Sequence, residues 1–254
     1  MDYFQISKVI IALFFLSRFS VEDIKKGEVK DFEIFLFFGI SIMFFIFDFF
    51  QNKSFEFLIY PLIFLFFSSI LFFLGQWGAG DSFILTSLGL LFSSSNSIIL
   101  LLLIFIFGTI YSFFYALIFS IIKKKHLFLS IFPLIFLILS FVLPSFYSLI
   151  FFLAFLYSSL PFLLRIQKEF IRKVKVSELK EGDVLKDFKL WIGITKEEIK
   201  KLKRKRKYVL IKEGIRFAPV FLISFILFEL FYMKVVTLMP PFLMLFLHVL
   251  QDLF

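Results

Sequence analysis

Long apolar runs separated by short polar segments follow one another along most of the chain. Because an α-helix rises about 1.5 Å per residue, about 20 apolar residues cross the hydrocarbon core of a bilayer. The fourth run is short, so we expect it either to extend into residues 93–95 or to enter the membrane only partly. A ninth apolar stretch, residues 238–254, is either a last span or an interfacial helix. The predicted membrane segments are residues 3–19, 32–50, 55–74, 82–92, 97–122, 127–143, 146–164 and 217–233.

Composition agrees with this pattern. The 254 residues are 61% hydrophobic and 22% aromatic, whereas a soluble domain is about 45–50% apolar. A fold of this length cannot hide so much apolar surface from water, which excludes a soluble globular enzyme, and a disordered chain is excluded as well. We therefore predict an all-α polytopic membrane protein, a bundle of about six to nine transmembrane helices.

Cysteine is absent and histidine occurs twice. The lack of cysteine excludes disulfides, cysteine-based zinc sites, iron–sulfur clusters and a thiol nucleophile. Two histidines argue against a multi-histidine metal site. We expect no metal and no cofactor.

The positive charge of the chain is concentrated in one segment. Residues 165–216 carry 18 Lys and Arg against 8 Asp and Glu, a net charge of +10, whereas the whole chain carries +9. The remainder is therefore close to neutral, with a net charge of −1. We predict three domains: a membrane bundle at 1–164, a basic cytoplasmic subdomain at 165–216, and C-terminal membrane helices at 217–254.

The basic subdomain shows signals for both strands and a helix. Thr195 followed three residues later by Glu198 forms a capping-box pattern that opens a helix through about Lys203. Residues 174–176 and 208–211 are typical of short strands, and residues 180–183 of a turn. These elements predict a small α+β fold.

Lysine and arginine also indicate the orientation of the chain. Basic loops follow the first, fifth and seventh predicted spans, whereas the alternate loops hold only Lys53. Since cytoplasmic loops are enriched in Lys and Arg, we predict a multi-pass protein of the cell membrane with its N-terminus outside. No cleavage site follows the first apolar run, so we expect that run to remain as a span.

Residues 203–207 form an unbroken basic run: Lys203, Arg204, Lys205, Arg206 and Lys207. Each cation near a membrane surface adds about 1 kcal/mol of attraction to anionic headgroups. The run lacks the interleaved aromatics or the known module of a nucleic-acid binder. We expect anionic lipid, and no nucleic acid, as its partner.

Two acids stand out by position. Asp23 follows the first predicted span and Asp81 begins the fourth, so both fall at the cytoplasmic face. Two neighbouring carboxyls share a proton, because like charges a few ångströms apart cannot both ionise. One can then activate water while the other polarises a carbonyl. Asp81 at a helix N-terminus is the one expected to ionise. The structural alternative is that Asp81 caps a helix and Asp23 is a solvated loop acid.

The motifs around these acids resemble those of a known family. The sequence GAGD at 78–81, with DIK at 23–25, resembles the GxGD intramembrane aspartyl peptidases. Within that class it is similar to the archaeal preflagellin and prepilin peptidases, relatives of the bacterial type IV prepilin peptidases. Residues 23–31, 75–91 and 214–225 carry the resemblance. It implies that Asp23 and Asp81 are the catalytic pair, with Gly78, Gly80 and Lys25 as supporting residues.

The resemblance also implies a reaction. Members of the family remove a short basic leader from prepilin-like or preflagellin-like proteins at the cytoplasmic face of the membrane. A basic leader should be repelled by the basic subdomain and attracted by acids beside Asp23. We expect four acids to receive it: Glu22, Glu28, Asp31 and Glu33.

The main alternative is a polytopic transporter or ion channel. It would use Asp48, Glu56 and Glu229 as a pathway and treat Asp23 and Asp81 as helix caps. A two-fold hydropathy repeat, typical of many transporters, does not appear. Two further cations lie in the first span, Lys8 and Arg18, and we expect them to reach opposite membrane surfaces by snorkelling.

Overall fold

A computed structural model describes residues 3–52, 56–188 and 193–232. Helices dominate the described chain, and four of them, at residues 3–26, 31–51, 97–123 and 146–169, are each long and apolar enough to cross a membrane. This confirms an all-α polytopic membrane protein. The stretch 238–254 lies outside the described residues. The elements are α1 Tyr3–Lys26, α2 Asp31–Asn52, α3 Glu56–Phe73, α4 Ala79–Leu91, α5 Ser97–Lys123, α6 Leu127–Val142, α7 Ser145–Ile166, β1 Ile171–Lys175, β2 Val184–Leu185, α8 Lys196–Lys205, β3 Tyr208–Lys212 and α9 Ala218–Tyr232.

Two helix boundaries near the predicted acids differ from expectation. Helix α1 continues to Lys26, so Asp23 lies within the helix rather than beyond it. Helix α4 begins at Ala79 and ends at Leu91, so of the two alternatives the extension into residues 93–95 is excluded, and partial entry into the membrane stays a prediction. Gly78 is the N-cap with extended backbone, φ −75° and ψ 164°. Glycine costs little at a cap, where non-helical backbone is required, and the helix therefore starts within the glycine motif.

Close contacts group the chain into two compact units, of which the first combines Met1–Ser97 with Glu169–Leu222. Within this unit α4 packs against both α2 and α3. Gly89 of α4 lies directly against the Phe64 side chain of α3, which leaves no room for a β-carbon. The hydroxyls of Ser68 and Thr86 are 2.9 Å apart and join the same two helices. Helix α4 is therefore fixed on two sides.

The second unit contains Ile98–Lys168 and the chain from Ile223 onward. Helices α6 and α7 form its most extensive helix pair. The Phe113 ring of α5 meets two rings of α7, Phe155 at 5.3 Å and Phe162 at 5.6 Å between centroids. Offset and edge-to-face aromatic pairs of this kind add to the packing of apolar helices.

The basic subdomain belongs to the first unit and is a three-stranded antiparallel sheet in the order β1-β3-β2. The capping box at Thr195 and Glu198 is confirmed, and α8 ends at Lys205. The strand predicted at 174–176 lies instead at Ile171–Lys175, and the two-residue strand β2 was not predicted. The core beneath the sheet comprises Val174, Val176, Leu179, Ile194, Ile199, Val209 and Ile211. The domain division at 164 and 216 stays a prediction.

Candidate functional site

Asp23 lies on the buried face of α1, one turn before the end of the helix. It shares that face with Leu16, Phe19 and Ser20, and only 8% of its surface is exposed. Its Oδ2 accepts a hydrogen bond of 2.9 Å from the backbone N–H of Ala218, the first residue of α9. This bond fixes the orientation of the carboxyl group.

The segment that leads into α9 is bound to the end of α1 by further contacts. The Arg216 guanidinium donates to the carbonyl of Ile24. The Ser20 hydroxyl donates to the carbonyl of Leu16 at 2.7 Å and lies 3.3 Å from that of Ala218. Asp23 is therefore held by residues nearly two hundred positions away in sequence.

Asp81 is the third residue of α4. Its carboxyl group lies close to the backbone N–H of Gly78, the N-cap residue, and near enough to Asp23 for the charges of the two groups to interact. The structure therefore brings the two predicted acids from separate helices to one place. The N-cap of α4 is Gly78 and not Asp81, so Asp81 lies inside the first turn of the helix rather than at the cap position that the structural alternative gave it.

Aromatic packing connects the Asp81 turn to the start of α9. The Trp77 ring lies 5.0 Å from the Phe217 ring and 5.6 Å from the Phe221 ring, measured between centroids. Trp77 precedes Gly78, and Phe217 precedes Ala218. The site is thus built from three segments: the end of α1, the turn before α4, and the start of α9.

The two motif glycines differ in what they make possible. A β-carbon at Gly80 would lie 3.1 Å from Cδ1 of Ile34 in α2, a tight contact, so this glycine allows α4 to approach α2 closely. A β-carbon at Gly78 would lie at an ordinary 3.7 Å from Oδ2 of Asp81. Lys25, the other predicted supporting residue, is exposed.

The four acids expected to receive a leader fall into two groups. Glu22 lies 3.6 Å from the Lys26 ammonium, and Glu33 is bound by Arg18, with one nitrogen-to-oxygen distance of 2.6 Å. The Lys30 ammonium lies near both acids, at 3.8 Å from Glu22 and 3.5 Å from Glu33. Glu28 and Asp31, by contrast, are exposed. Since the chain's own cations occupy the first pair, the second pair offers the accessible negative charge.

The basic run 203–207 lies at the end of α8 and the start of β3, with Lys203, Arg204, Arg206 and Lys207 exposed. The side chain of Lys205 lies outside the described residues. Within the part of the chain that the structure describes, no three His, Cys, Asp or Glu side chains are grouped so that they could hold a metal ion.

The ionisable residues of the membrane helices do not follow the expected pattern. Lys8 is 2% exposed and pairs with Asp48 of α2, so it is buried in protein and does not snorkel to a surface. Glu229 in α9 is buried, and one of its oxygens has no hydrogen-bond partner among the described residues. The side chain of Glu56 lies outside the described residues. Asp48, a pathway residue in the transporter interpretation, is therefore engaged in an ion pair.

Sequence reasoning missed the contribution of Ala218 and Arg216 to the site. A signal was present, because residues 214–225 carry part of the family resemblance. The contact itself depends on tertiary packing, since it joins residues 195 positions apart. The pairing of Arg18 with Glu33 was missed for the same reason.

A comparison of the chain with known protein families found one match. The model of the type IV leader peptidase family matches residues 10–113, fewer than half of the 254 residues. The match covers Asp23, Asp81 and helices α2 to α4, and it supports a type IV leader peptidase-like membrane protease. Neither the curated proteins nor the solved structures gave a match. The basic subdomain and the start of α9 lie outside the matched residues.

Proposed function

We propose that this chain is an aspartyl endopeptidase with Asp23 and Asp81 as its catalytic pair. The match of residues 10–113 to the type IV leader peptidase family supports a prepilin peptidase-like protein. Its substrates are prepilin-like or preflagellin-like proteins, and it removes their short basic leader at the cytoplasmic membrane face. The observation that carries the proposal is that two carboxyls from different helices lie near enough for their charges to interact.

Each carboxyl lies beside a backbone N–H at the start of a helix. Asp23 accepts the N–H of Ala218, and Asp81 lies close to the N–H of Gly78 at the start of α4. A hydrogen bond from an N–H favours the charged form of a carboxyl. Either acid can therefore carry the charge while the other holds the shared proton, which suits a reaction that moves protons in both directions.

The reaction balances with these two groups and one water. The charged carboxylate takes a proton from water as the water oxygen bonds to the scissile carbonyl carbon, and the protonated carboxyl donates to the carbonyl oxygen. In the second step the tetrahedral carbon expels the amine, which receives a proton from the carboxyl that gained one, while the other carboxylate takes a proton back from a hydroxyl on the tetrahedral carbon. The carbon–nitrogen bond breaks, and the pair again holds one proton.

The test is cleavage of a tagged prepilin-like substrate by the purified protein. Asp23→Asn and Asp81→Asn are each expected to lose activity. Full cleavage by either single variant would contradict the proposal, whereas a transporter with two helix caps predicts no cleavage by the wild type at all.

Because Glu28 and Asp31 are accessible acids, we expect them to bind the basic leader of the substrate. Reversing both charges, as Glu28→Lys with Asp31→Lys, should raise KM for a basic leader by about tenfold, since each exposed charge pair contributes up to about 1 kcal/mol. The kcat should change little, because neither side chain belongs to the catalytic pair. Initial rates over a range of substrate concentrations, at low and high salt, measure the effect.

A matched control reverses two exposed acids of the basic subdomain, Glu178→Lys with Asp187→Lys. These changes alter the net charge equally, and KM should stay within about twofold of the wild type. An equal rise of KM in both double variants would remove the specific role of Glu28 and Asp31.

The unequal surroundings of the two motif glycines predict unequal effects. Gly80→Ala should reduce cleavage by about tenfold, because the new methyl pushes α4 away from Ile34 and displaces Asp81. Gly78→Ala should stay within about threefold of the wild type, since its β-carbon meets only ordinary contacts and its φ of −75° suits alanine.

Adding Ile34→Val to Gly80→Ala separates steric displacement from other causes. Valine lacks the Cδ1 atom that the new methyl would approach, so the double variant should regain most of the lost rate. No recovery in the double variant would show that Gly80 acts through something other than its distance from α2.

A further inference from the structure

A basic, widely open cavity of about 440 Å³ lies in the basic subdomain, apart from the two acids. It opens where three segments meet: the end of β1 with the turn after it, the last turn of α8, and the start of β3. The described residues that line it include four cations and no acid. They are Lys175, Val176, Ser177, Lys203, Arg206, Lys207 and Tyr208.

The frame of the cavity is fixed by the sheet. Lys175 and Tyr208 face each other in the β1–β3 ladder, and the backbone N–H of Val176 donates to the carbonyl of Lys207 at 3.1 Å. Val176 belongs to the core of the subdomain. The Lys173 ammonium lies 4.8 Å from the centre of the Tyr208 ring, on which it rests. The cations around the cavity are therefore held at set positions along the backbone.

Stabilisation of the C-terminal end of α8 does not account for all four cations that line the cavity. Lys and Arg in the last turn of a helix stabilise the negative end of its dipole, which accounts for Lys203. Lys175 is instead the last residue of β1 and Lys207 is the residue before β3, so the helix dipole does not account for either. Arg206 lies 3.6 Å from Asp187, and both side chains are more than half exposed, so this ion pair is weak and leaves the guanidinium available.

We propose that this cavity binds a small phosphate-bearing anion, either the headgroup of an anionic phospholipid or a free phosphate compound. Several ammonium groups and a guanidinium match the charge of a phosphate, and the guanidinium can bind two of its oxygens. The hydroxyls of Ser177 and Tyr208 add neutral donors. The volume falls within the range of small-ligand sites, about 300–1,000 Å³.

The same chemistry excludes the proposed substrate leader as the occupant. A basic leader carries the charge of the cavity, and the two repel each other. The cavity is thus a second site, with a ligand of opposite charge to the leader, and its test is a binding measurement that does not depend on cleavage.

Phosphorus NMR on the full-length protein in a neutral detergent tests the proposal. The probes are inorganic phosphate, water-soluble dihexanoyl phosphatidic acid and, as a zwitterionic control, dihexanoyl phosphatidylcholine. We expect saturable line broadening for the two anionic probes. Tighter binding of phosphatidic acid assigns a lipid headgroup, whereas equal binding of the two anions assigns a free phosphate compound. Absence of saturable binding by either anion overturns the proposal.

Two triple variants separate the cavity from general positive charge. Lys175→Gln, Lys203→Gln and Lys207→Gln together should weaken anion binding by about a hundredfold, since each cation contributes about fivefold. The matched control changes three exposed lysines outside the cavity, Lys186→Gln, Lys200→Gln and Lys201→Gln, and should weaken it less than threefold. Equal losses of binding in the two triple variants would mean that anion binding depends only on the net charge of the protein, which would overturn the proposed site.

Circular dichroism and gel filtration establish that each triple variant is folded. Should the cavity variant fail this check, the single changes Lys203→Gln and Lys207→Gln carry the same test. Each is expected to weaken binding by about fivefold, and unchanged binding in both single variants counts against the cavity.

Discussion

Asp23→Asn and Asp81→Asn should each lower kcat for cleavage of a prepilin-like substrate by at least about a thousandfold. Asparagine keeps the shape of the side chain but can neither accept the proton of water nor hold the shared proton. Because the pair acts as a unit, the double variant should be no slower than the slower single variant. Single-turnover rates in detergent, with fold checked by gel filtration, measure the loss.

Asp31→Asn is the matched control for this prediction. It makes the same chemical change in the same region of the chain, at an exposed acid outside the catalytic pair. Its kcat should stay near that of the wild type while KM for a basic leader rises modestly. A thousandfold loss of kcat in Asp31→Asn would mean that the assay reports folding or surface charge rather than the two-carboxyl chemistry.

The helical class of the protein could be predicted because the bilayer imposes a strong length and hydropathy pattern. Boundaries were harder to predict where glycine is involved. The GAGD motif separates the third and fourth apolar runs, yet the structure starts α4 within it at Ala79. In the basic subdomain, alternating lysines blur the strand pattern, and β2 has only two residues, too few for any periodicity to show.

The candidate site was predictable where its chemistry lies in local motifs, and not where it depends on packing. Asp23 and Asp81 were found from their position at the ends of apolar runs and from the family resemblance. The bond from Ala218 to Asp23 could not be found in this way, because nothing local to either residue indicates the other. The same holds for Lys8 and Asp48, whose charges look misplaced in apolar helices until the structure pairs them.

That buried pair leads to the largest expected effect on stability. Lys8 is 2% exposed and Asp48 4% exposed, and their side chains join α1 to α2. Lys8→Met removes the ammonium that pairs with the buried Asp48 carboxylate. Breaking a buried ion pair in this way costs about 3–5 kcal/mol. The melting temperature of the detergent-solubilised protein should therefore fall by roughly 10 °C.

Combining Lys8→Met with Asp48→Leu should recover most of the lost stability. Two apolar side chains can replace a buried ion pair at little cost, because neither charge then has to be removed from water.

The Arg18–Glu33 pair is the matched control, since it joins the same two helices but the Arg18 side chain is 47% exposed. Arg18→Met should therefore lower the melting temperature by less than a third as much as Lys8→Met. Equal losses in the two single variants would show that burial does not set the strength of these pairs. Failure of the double variant to recover would show that the pair is needed for more than charge neutralisation, and that it specifies how α1 aligns with α2 and so where Asp23 lies.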